Sequence, residues 1–154
     1  MLKLTKKADY GLIALRHLAE SGVVASSSKE IADAYHLPQE ALAKILQRLV
    51  KAGLVRSRHG MNGGYVLARD ARDISALEVI VAIDGPLFIT SCSNEKVQCE
   101  QGDLCSVREP LRKVNDGIRE LLGHISIWDM RGNDGDILES KPEAHEQDLV
   151  TLQL

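Results

Sequence analysis

The segment that most constrains the fold of this chain runs from residue 28 to residue 68. A short helical pattern opens it, and the dipeptide Leu37–Pro38 then predicts a tight turn. A second helix is predicted over residues 38–52, where apolar side chains recur at helical spacing: Leu42, Ile45, Leu46 and Leu49. Helix, tight turn and helix in this order are typical of a helix-turn-helix motif, in which residues 38–52 would be the recognition helix.

Two short β-strands around a glycine-rich turn are predicted next. Residues 54–58 alternate in polarity, and residues 65–68 are rich in β-forming side chains. Gly60, Gly63 and Gly64 permit the positive backbone angles of a tight hairpin. Such a hairpin indicates the wing of a winged helix. A glycine-rich nucleotide loop is the alternative, but no helix starts after the glycines and no Gly-Lys-Ser/Thr sequence follows them.

Polar and charged side chains on the outer side of this motif are candidates for reading DNA. On the recognition helix we predict Gln39, Glu40 and Lys44 as direct readers. Glutamine suits adenine, glutamate accepts from cytosine and lysine suits guanine. Arg48 is predicted to lie on the same outer side. The candidates on the wing, which can reach phosphates or the minor groove, are Arg56, Arg58, His59 and Asn62.

Charge is divided unevenly along the chain. The formal net charge is −3, but residues 1–72 hold 12 Lys and Arg against 6 Asp and Glu, whereas residues 73–154 hold 7 against 16. The first part is therefore +6 and the second −9. A basic first half suits a polyanion such as DNA, which an acidic second half would repel. Solvated faces of mixed sign are the alternative.

Two more helices are predicted on either side of the helix-turn-helix and wing. The first covers residues 4–20, with Thr5 as its N-cap. The other follows the capping-box pair Ser75 and Glu78 and stops at Gly85.

A long amphipathic helix is predicted near the end of the chain, opening with Pro110 in its first turn. Its apolar residues step by threes and fours along one side: Leu111, Val114, Ile118, Leu121, Leu122 and Ile125. A small winged domain offers limited area to cover this stripe, so pairing with the same helix of a second subunit is expected. Packing within one chain is the alternative. Residues 126–130 are expected to extend this helix or to form a last turn.

All three cysteines, Cys92, Cys99 and Cys105, lie within fourteen positions on a polar, turn-forming stretch. A cysteine kept for packing usually lies alone on an apolar face, so this clustering favours ligation of a soft metal by thiolates. Three thiolates do not complete the usual four-ligand set of an iron–sulfur cluster, and the fourth ligand must come from elsewhere. Three ordinary thiols, or one disulfide and a spare thiol, are the alternative.

The predicted fold class is mainly α with a small β-wing. We divide it into a winged helix-turn-helix DNA-binding domain at 1–85, a cysteine cluster-binding loop at 86–107, a dimerisation helix at 108–130 and an acidic, flexible tail at 131–154. No apolar run approaches the roughly 20 residues of a membrane span, and we expect no signal peptide and no contact with a membrane. The odd number of cysteines fits the reducing cytoplasm.

Taken together, these segments resemble the Rrf-type winged-helix regulators, the family of IscR and NsrR. The resemblance covers about residues 1–130 and rests on LTKKADYGLIAL, on KEIADAYHLPQEALAKILQRLVKAGLVRSRHGMNGGYVLARD, and on ISALEVIVAIDGP. The run LFITSCSNEKVQCEQGDLCSVREPLRKVNDGI is most similar to the branch called the SUF-system iron–sulfur assembly regulators.

The resemblance implies a homodimer that binds double-stranded DNA at a palindromic operator. It also implies an iron–sulfur cluster on Cys92, Cys99 and Cys105, with 2Fe–2S favoured over 4Fe–4S. IscR-type proteins use a histidine three residues after the last cysteine, where this chain has Arg108, which has no lone pair to offer. NsrR-type proteins use a carboxylate of the other subunit's first helix, and the matching residue is Asp9. His124 is the alternative ligand, and Asp9 could instead be a plain helix-start carboxylate.

These features predict a cytoplasmic transcription regulator that senses an iron–sulfur cluster and represses iron–sulfur assembly genes. A winged-helix regulator that senses oxidants through bare thiols is the alternative. An enzyme with a cysteine nucleophile is disfavoured, because no histidine and orienting carboxylate accompany a cysteine in a recognisable pattern.

Overall fold

The computed structural model describes residues 4–90 and 104–131 of the 154-residue chain. It contains, in order, α1 (Lys6–Ser21), α2 (Ser28–Tyr35), α3 (Gln39–Lys51), β1 (Val55–Arg58), β2 (Gly64–Leu67), α4 (Ala76–Asp84) and α5 (Arg108–His124). The two strands form an antiparallel sheet. The mainly α fold with a winged helix-turn-helix is therefore confirmed. Cys92 and Cys99 lie outside the described residues, as does the acidic segment after Arg131.

Local capping fixes where three of the helices begin. The Thr5 hydroxyl accepts from the Ala8 amide at 3.1 Å, as predicted for the start of α1. Ser27 caps α2 and Ser75 caps α4, and each forms a reciprocal capping box with the glutamate three residues later. These bonds satisfy amide groups that have no partner within the helix itself. The helix starts at α1 and α4 are confirmed.

The core lies where α1, α3 and α4 pack together. It is aliphatic, and its largest fully buried side chains include Leu15, Leu42, Leu46, Ile74 and Ile80. Gly11 sets the approach of α1 to α4, because a Cβ atom at this position would overlap the Ile83 side chain. The four apolar residues predicted as the buried stripe of the recognition helix are all buried. Burial of that stripe leaves the opposite side of α3 facing outward.

The wing is fastened to the connection between α1 and α2. Ser26 and Tyr65 exchange two backbone hydrogen bonds, of 3.1 Å and 2.8 Å. Gly64 is required at the start of β2, since its φ is +157° and a Cβ atom would lie 2.6 Å from the Ser26 carbonyl oxygen. The wing is thereby held in a fixed position beside the start of α2.

The chain returns from α5 to the winged domain. The helix ends at His124, and Ser75 and Ser126 then form an isolated antiparallel bridge. Its hydrogen bonds run from Ala76 to Ile125 and from Ile127 to Ile74, both 2.8 Å. Ile127 is fully buried. A last turn does follow, as a 3₁₀ turn at Asp129–Arg131. The C-terminal end of α5 is therefore anchored to the core.

Candidate functional site

The outer surface of the recognition helix is open to solvent. Gln39, Glu40 and Lys44 are exposed along the first two turns of α3. Within the described part of the chain, none of these three side chains has a hydrogen bond or an ion pair. In helix-turn-helix proteins the N-terminal residues of the recognition helix contact base edges. The predicted readers thus lie at the part of α3 that can enter a major groove.

Arg48 is exposed on α3, as predicted, and it also makes a long-range contact. Its guanidinium donates to the backbone carbonyl of Ile83 at 2.8 Å. The bond joins the last turns of α3 to the last turn of α4, 35 residues further along the chain. Arg48 therefore positions the recognition helix, and sequence spacing alone carried no signal of this contact.

The wing presents a second set of exposed side chains. Arg56, His59 and Asn62 are exposed, and no hydrogen bond or ion pair holds them within the residues that the structure describes. Arg58 is also exposed, and it donates to the carbonyl of Val23 at 3.1 Å. This bond orients Arg58 toward the α1–α2 connection. The wing therefore offers cationic groups beside the recognition helix, as phosphate binding requires.

Both ends of the cysteine loop are tied to α5. Asn115 is buried, with 3% of its surface exposed, and its side-chain oxygen accepts from the backbone amide of Ile89 at 3.0 Å. Ile89 lies three residues before Cys92, and Cys105 lies three residues before the first residue of α5. Asn115 is about 10 Å along the axis from the start of α5, because a helix rises 1.5 Å per residue. The described residues on either side of segment 91–103 therefore both adjoin the N-terminal half of α5.

Cys105 is a free, half-buried thiol among the described residues. It precedes the positive end of a seventeen-residue helix, where negative charge is stabilised. The first turn of α5 adds Arg108, while Arg112 is bonded to Glu109 at 2.7 Å and 3.0 Å. That hydrogen bond lowers the pKa of the Glu109 carboxyl, so the pair stays ionised. The N-terminal end of α5 and the Arg108 side chain therefore favour binding of an anionic group near Cys105.

The described residues contain no group of three or more His, Cys, Asp and Glu side chains able to hold a metal. Two of the three predicted thiolates, Cys92 and Cys99, fall outside those residues. The predicted ligand set of Cys92, Cys99, Cys105 and Asp9 therefore stays a prediction.

Asp9 is exposed in the first turn of α1. Its carboxylate has no hydrogen-bond or ion-pair partner in ranges 4–90 and 104–131. The capping role at this helix start belongs to Thr5, whose hydroxyl also donates to Asp84 at the end of α4. Asp9 is thus not needed as a cap and is available to an external partner.

His124 is a poor match for the missing ligand within one chain. It ends α5, sixteen residues after Arg108, which is about 24 Å along the helix. Its Nδ1 donates to the carbonyl of Glu120 at 2.8 Å. Within one chain His124 therefore lies far from Cys105 along α5.

A contact that sequence reasoning missed is a sandwich around Trp128. The guanidinium groups of Arg72 and Arg131 lie 3.8 Å and 3.4 Å from its ring centre. Arg131 also donates to the carbonyl of Ala19 at 3.4 Å. These contacts fasten the end of the described chain to α1.

The fold and these surfaces define a winged-helix DNA-binding regulator. The sequence profile of the Rrf2 family, described as iron-dependent transcriptional regulators, matches residues 4–133. The chain belongs to this family. It is a DNA-binding transcriptional regulator and not an enzyme.

Known relatives agree with this assignment. The HTH-type transcriptional regulator IscR of Cronobacter sakazakii is 31% identical over 149 residues, which cover 95% of this chain and 90% of the relative. The structure of CymR, the global cysteine regulator of B. subtilis, superposes with a TM-score of 0.73 at 31% identity, covering 85% of this chain and 97% of that one. T. potens IscR gives 0.67 at 34% identity, covering 84% and 85%.

No helix within the described ranges is both long enough and apolar enough to cross a membrane.

Asn115→Leu tests the anchor of the cysteine loop. Leucine matches asparagine in size but leaves the Ile89 amide without an acceptor, which costs about 1–3 kcal/mol for a buried donor. We expect faster hydrogen–deuterium exchange of the Ile89 amide and a lower melting temperature. Asp116→Leu, at the neighbouring exposed position, is the control and should change neither. Unchanged Ile89 exchange in Asn115→Leu would show that the bond does not hold the loop.

Proposed function

We propose that this regulator is a cytoplasmic homodimer that senses an iron–sulfur cluster, binds a palindromic operator and represses iron–sulfur assembly genes of the SUF system. The observation that carries the proposal is that three cysteines lie in a segment flanked on one side by the Ile89–Asn115 hydrogen bond to α5 and on the other by the start of α5 itself. A loop with fixed ends holds its thiols near one place at low entropic cost. The family description as iron-dependent regulators supports the same proposal.

The proposed ligands are Cys92, Cys99 and Cys105 of one subunit and Asp9 of the partner subunit. The residues present fit the group, because Cys105 is a free thiol near a positive helix end and Asp9 is an unpaired carboxylate. Arg108 stands where IscR-type relatives have their histidine and cannot coordinate iron. An iron–sulfur cluster, with 2Fe–2S favoured, would supply a redox- and oxygen-sensitive group at this place.

A ridge formed by Val107, the N-cap of α5, and two residues of α5 supports the homodimer. Val107, Val114 and Leu121 are spaced by seven residues and are 54%, 52% and 61% exposed. Such a spacing places side chains on one side of a helix and is the pattern by which two helices pair. On α5 itself only Asn115 is buried in the single chain. A second copy of α5 would cover the ridge.

The end of α4 connects the cysteine loop with the DNA-binding surface. At this end Ile83 accepts from Arg48 of the recognition helix, and Asp84 accepts from Thr5 at the start of α1. The chain then runs from Gly85 directly into the cysteine loop. A rearrangement of the loop therefore acts on the two helices that carry Lys44 and Asp9. Small shifts there change the separation of the two recognition helices, which must match half-sites roughly 34 Å apart.

Lys44→Ala tests the proposed base reading. Loss of one specific base contact costs about 1–3 kcal/mol, so we expect operator affinity to fall roughly 5- to 150-fold and discrimination at one base pair to relax. Fluorescence anisotropy with operator and single-base variants measures both effects. Lys51→Ala is the matched control, since Lys51 is exposed at the far end of the same helix. An equal loss of affinity for the operator and all its single-base variants would indicate that Lys44 contacts a phosphate and not a base.

The first experiment is the ultraviolet–visible spectrum of anaerobically purified protein, with iron and acid-labile sulfide counted on the same sample. Charge-transfer bands with stoichiometric iron and sulfide are expected, and Asp9→Ala should shift the bands and shorten the lifetime of the cluster. Asp33→Ala, an exposed carboxylate on α2, is the control. Protein that stays colourless and iron-free after attempted reconstitution would contradict the proposal.

A second candidate function is sensing of oxidants by bare thiols. Cys105 is only half-buried, and thiols with solvent access can form sulfenates or disulfides. The relative CymR, named a global cysteine regulator, shares the fold. The two candidates differ in colour, because only the cluster absorbs visible light. Operator binding that responds to peroxide in colourless, iron-free protein would favour the thiol sensor.

A further inference from the structure

The wing lies against the connection between α1 and α2, and three contacts join the two. Ser26 and Tyr65 exchange two backbone hydrogen bonds, and Gly64 lies so close to the Ser26 carbonyl that no Cβ atom fits. Arg58 donates to the carbonyl of Val23 in the same connection. Whatever holds this connection in place therefore also holds the wing and its predicted DNA-binding side chains.

Ser26 is the residue through which the connection is attached to α1. Val23 and Val24 are 80% and 67% exposed, so their side chains contribute little packing. Ser26, in contrast, is buried, and a buried hydroxyl is costly unless it is hydrogen-bonded. Its oxygen lies 3.4 Å from Oγ of Ser21 and 3.3 Å from Nε2 of His17, and both of these residues belong to α1. The partners of this hydroxyl therefore determine how firmly the wing is attached.

Tyr35, the last residue of α2, fixes the orientation of the His17 ring from the other side. The two rings meet edge to face with their centres 5.6 Å apart, and the Tyr35 hydroxyl lies 3.4 Å from Nδ1 of His17. Ser26 donates to Ser21, so its oxygen accepts from the Nε2–H of His17, and Nδ1 is left to accept from Tyr35. One directed chain of hydrogen bonds thus runs from α2 through α1 to the anchor of the wing.

We propose that His17 is a positioning residue for DNA binding, which sets the wing relative to the recognition helix through its hydrogen bond to Ser26. Tyr35 precedes the turn into α3, so the imidazole contacts both the helix that leads to the recognition helix and the connection that carries the wing. A wing that is already held loses less conformational entropy when it binds DNA. The hold on the wing is independent of the proposed function, whereas its effect on DNA rests on the proposed DNA contacts of the wing.

Two replacements of His17 separate the Ser26 contact from the Tyr35 contact. The longer side chain of glutamine can carry its amide group to the place of Nε2, whereas the amide of asparagine reaches only the place of Nδ1. We expect the Ser26 and Tyr65 amides of His17→Asn to exchange with solvent about 3- to 10-fold faster than in the wild-type protein, as the loss of one hydrogen bond implies. In His17→Gln their exchange should stay within about 2-fold of the wild-type rate.

Hydrogen–deuterium exchange followed by NMR on the full chain gives these rates, and the Ala76 amide, whose partner lies outside this network, is the internal control. Unchanged exchange of the Ser26 and Tyr65 amides in His17→Asn would overturn the proposal. Equally fast exchange in the Asn and Gln variants would assign the hold to packing of the aromatic ring and not to the Nε2 hydrogen bond, and it would also overturn the proposal.

The effect on DNA is tested by double-mutant cycles. If His17 acts through the wing, its replacement lowers affinity only while the wing contacts DNA, so the two effects are not additive. We expect His17→Asn to weaken operator binding about 3- to 10-fold in the wild-type and Lys44→Ala backgrounds, but less than about 2-fold when Arg56, His59 and Asn62 are all replaced by alanine. His17→Gln should recover most of the affinity. Fluorescence anisotropy with labelled operator measures each affinity.

The outcomes of the cycles distinguish this proposal from the proposed wing contacts. The same loss of affinity in all three backgrounds would indicate a general structural effect of His17→Asn and would overturn positioning through the wing. A triple wing variant that binds the operator as tightly as the wild-type protein would instead contradict the proposed wing contacts and remove the effect on DNA. The exchange measurement decides the hold on the wing in either case.

Discussion

Cys105→Ala is expected to abolish cluster binding and, with it, every difference in operator affinity between anaerobically reconstituted and iron-free protein. Cys105 is the described member of the proposed ligand set, a free thiol fixed directly before α5. Two remaining thiolates and one carboxylate leave a cluster without a complete ligand set. Iron and sulfide analysis and operator titration under nitrogen give the two readouts. We expect the same outcome for Cys92→Ala and Cys99→Ala.

Ser106→Ala is the control for this experiment, because Ser106 is the next residue, is exposed and is not a usual iron ligand. It should retain the spectrum and the operator response of the wild-type protein. Full iron and sulfide content in Cys105→Ala would remove Cys105 from the ligand set. An unchanged cluster response of operator binding in Cys99→Ala would refute the proposed sensing mechanism as a whole.

Leu121→Asp is expected to convert the homodimer to monomers and to lower operator affinity about 100-fold or more. Leu121 is the most exposed residue of the ridge, so a second subunit would bury the new carboxylate without a partner, at a cost of several kcal/mol. About 3 kcal/mol corresponds to a factor of roughly 100. Sedimentation velocity measures the dissociation, and a palindromic operator compared with its single half-site measures the loss on DNA.

The Leu121→Asp variant can also show whether the change disrupts the subunit interface or the fold of the single chain. Because Leu121 is exposed within one chain, the monomer should keep its helical circular dichroism. Arg119→Asp, at a position on α5 outside the ridge, is the control and should remain dimeric. A Leu121→Asp protein that stays dimeric would place the subunit interface on another surface.

Much of the fold could be predicted because the interactions that define it are local. The side chains of Thr5 and Ser75 accept from amides three residues away, so these caps can be predicted from the nearby sequence. The buried stripe of α3 follows from helical period alone. The wing follows from its glycines, of which Gly64 is held against Ser26 where no Cβ atom fits.

The candidate site was predictable only in part. Exposure of Gln39, Glu40 and Lys44 follows from their side of the helix. Arg48 shares that region of the sequence pattern, yet it bonds to Ile83, 35 residues distant. Asn115 is a polar residue beside an apolar stripe in the sequence, yet it is buried and accepts from the Ile89 amide, 26 residues distant. Neither the Ile83 carbonyl nor the Ile89 amide can be identified as a partner from local residue spacing.

By itself the sequence determined the elements of this protein, their caps, the two-signed charge distribution and the clustering of three cysteines between α4 and α5. Only the tertiary structure decided which of the polar side chains are free to bind and which are committed to holding the fold. The physical reason is that helix periods, caps and turns involve neighbours in the chain, whereas burial and long-range hydrogen bonds depend on which surfaces pack together. The partners of Arg48, Asn115 and Trp128 are all long-range or depend on packing, so they are decided by the tertiary structure.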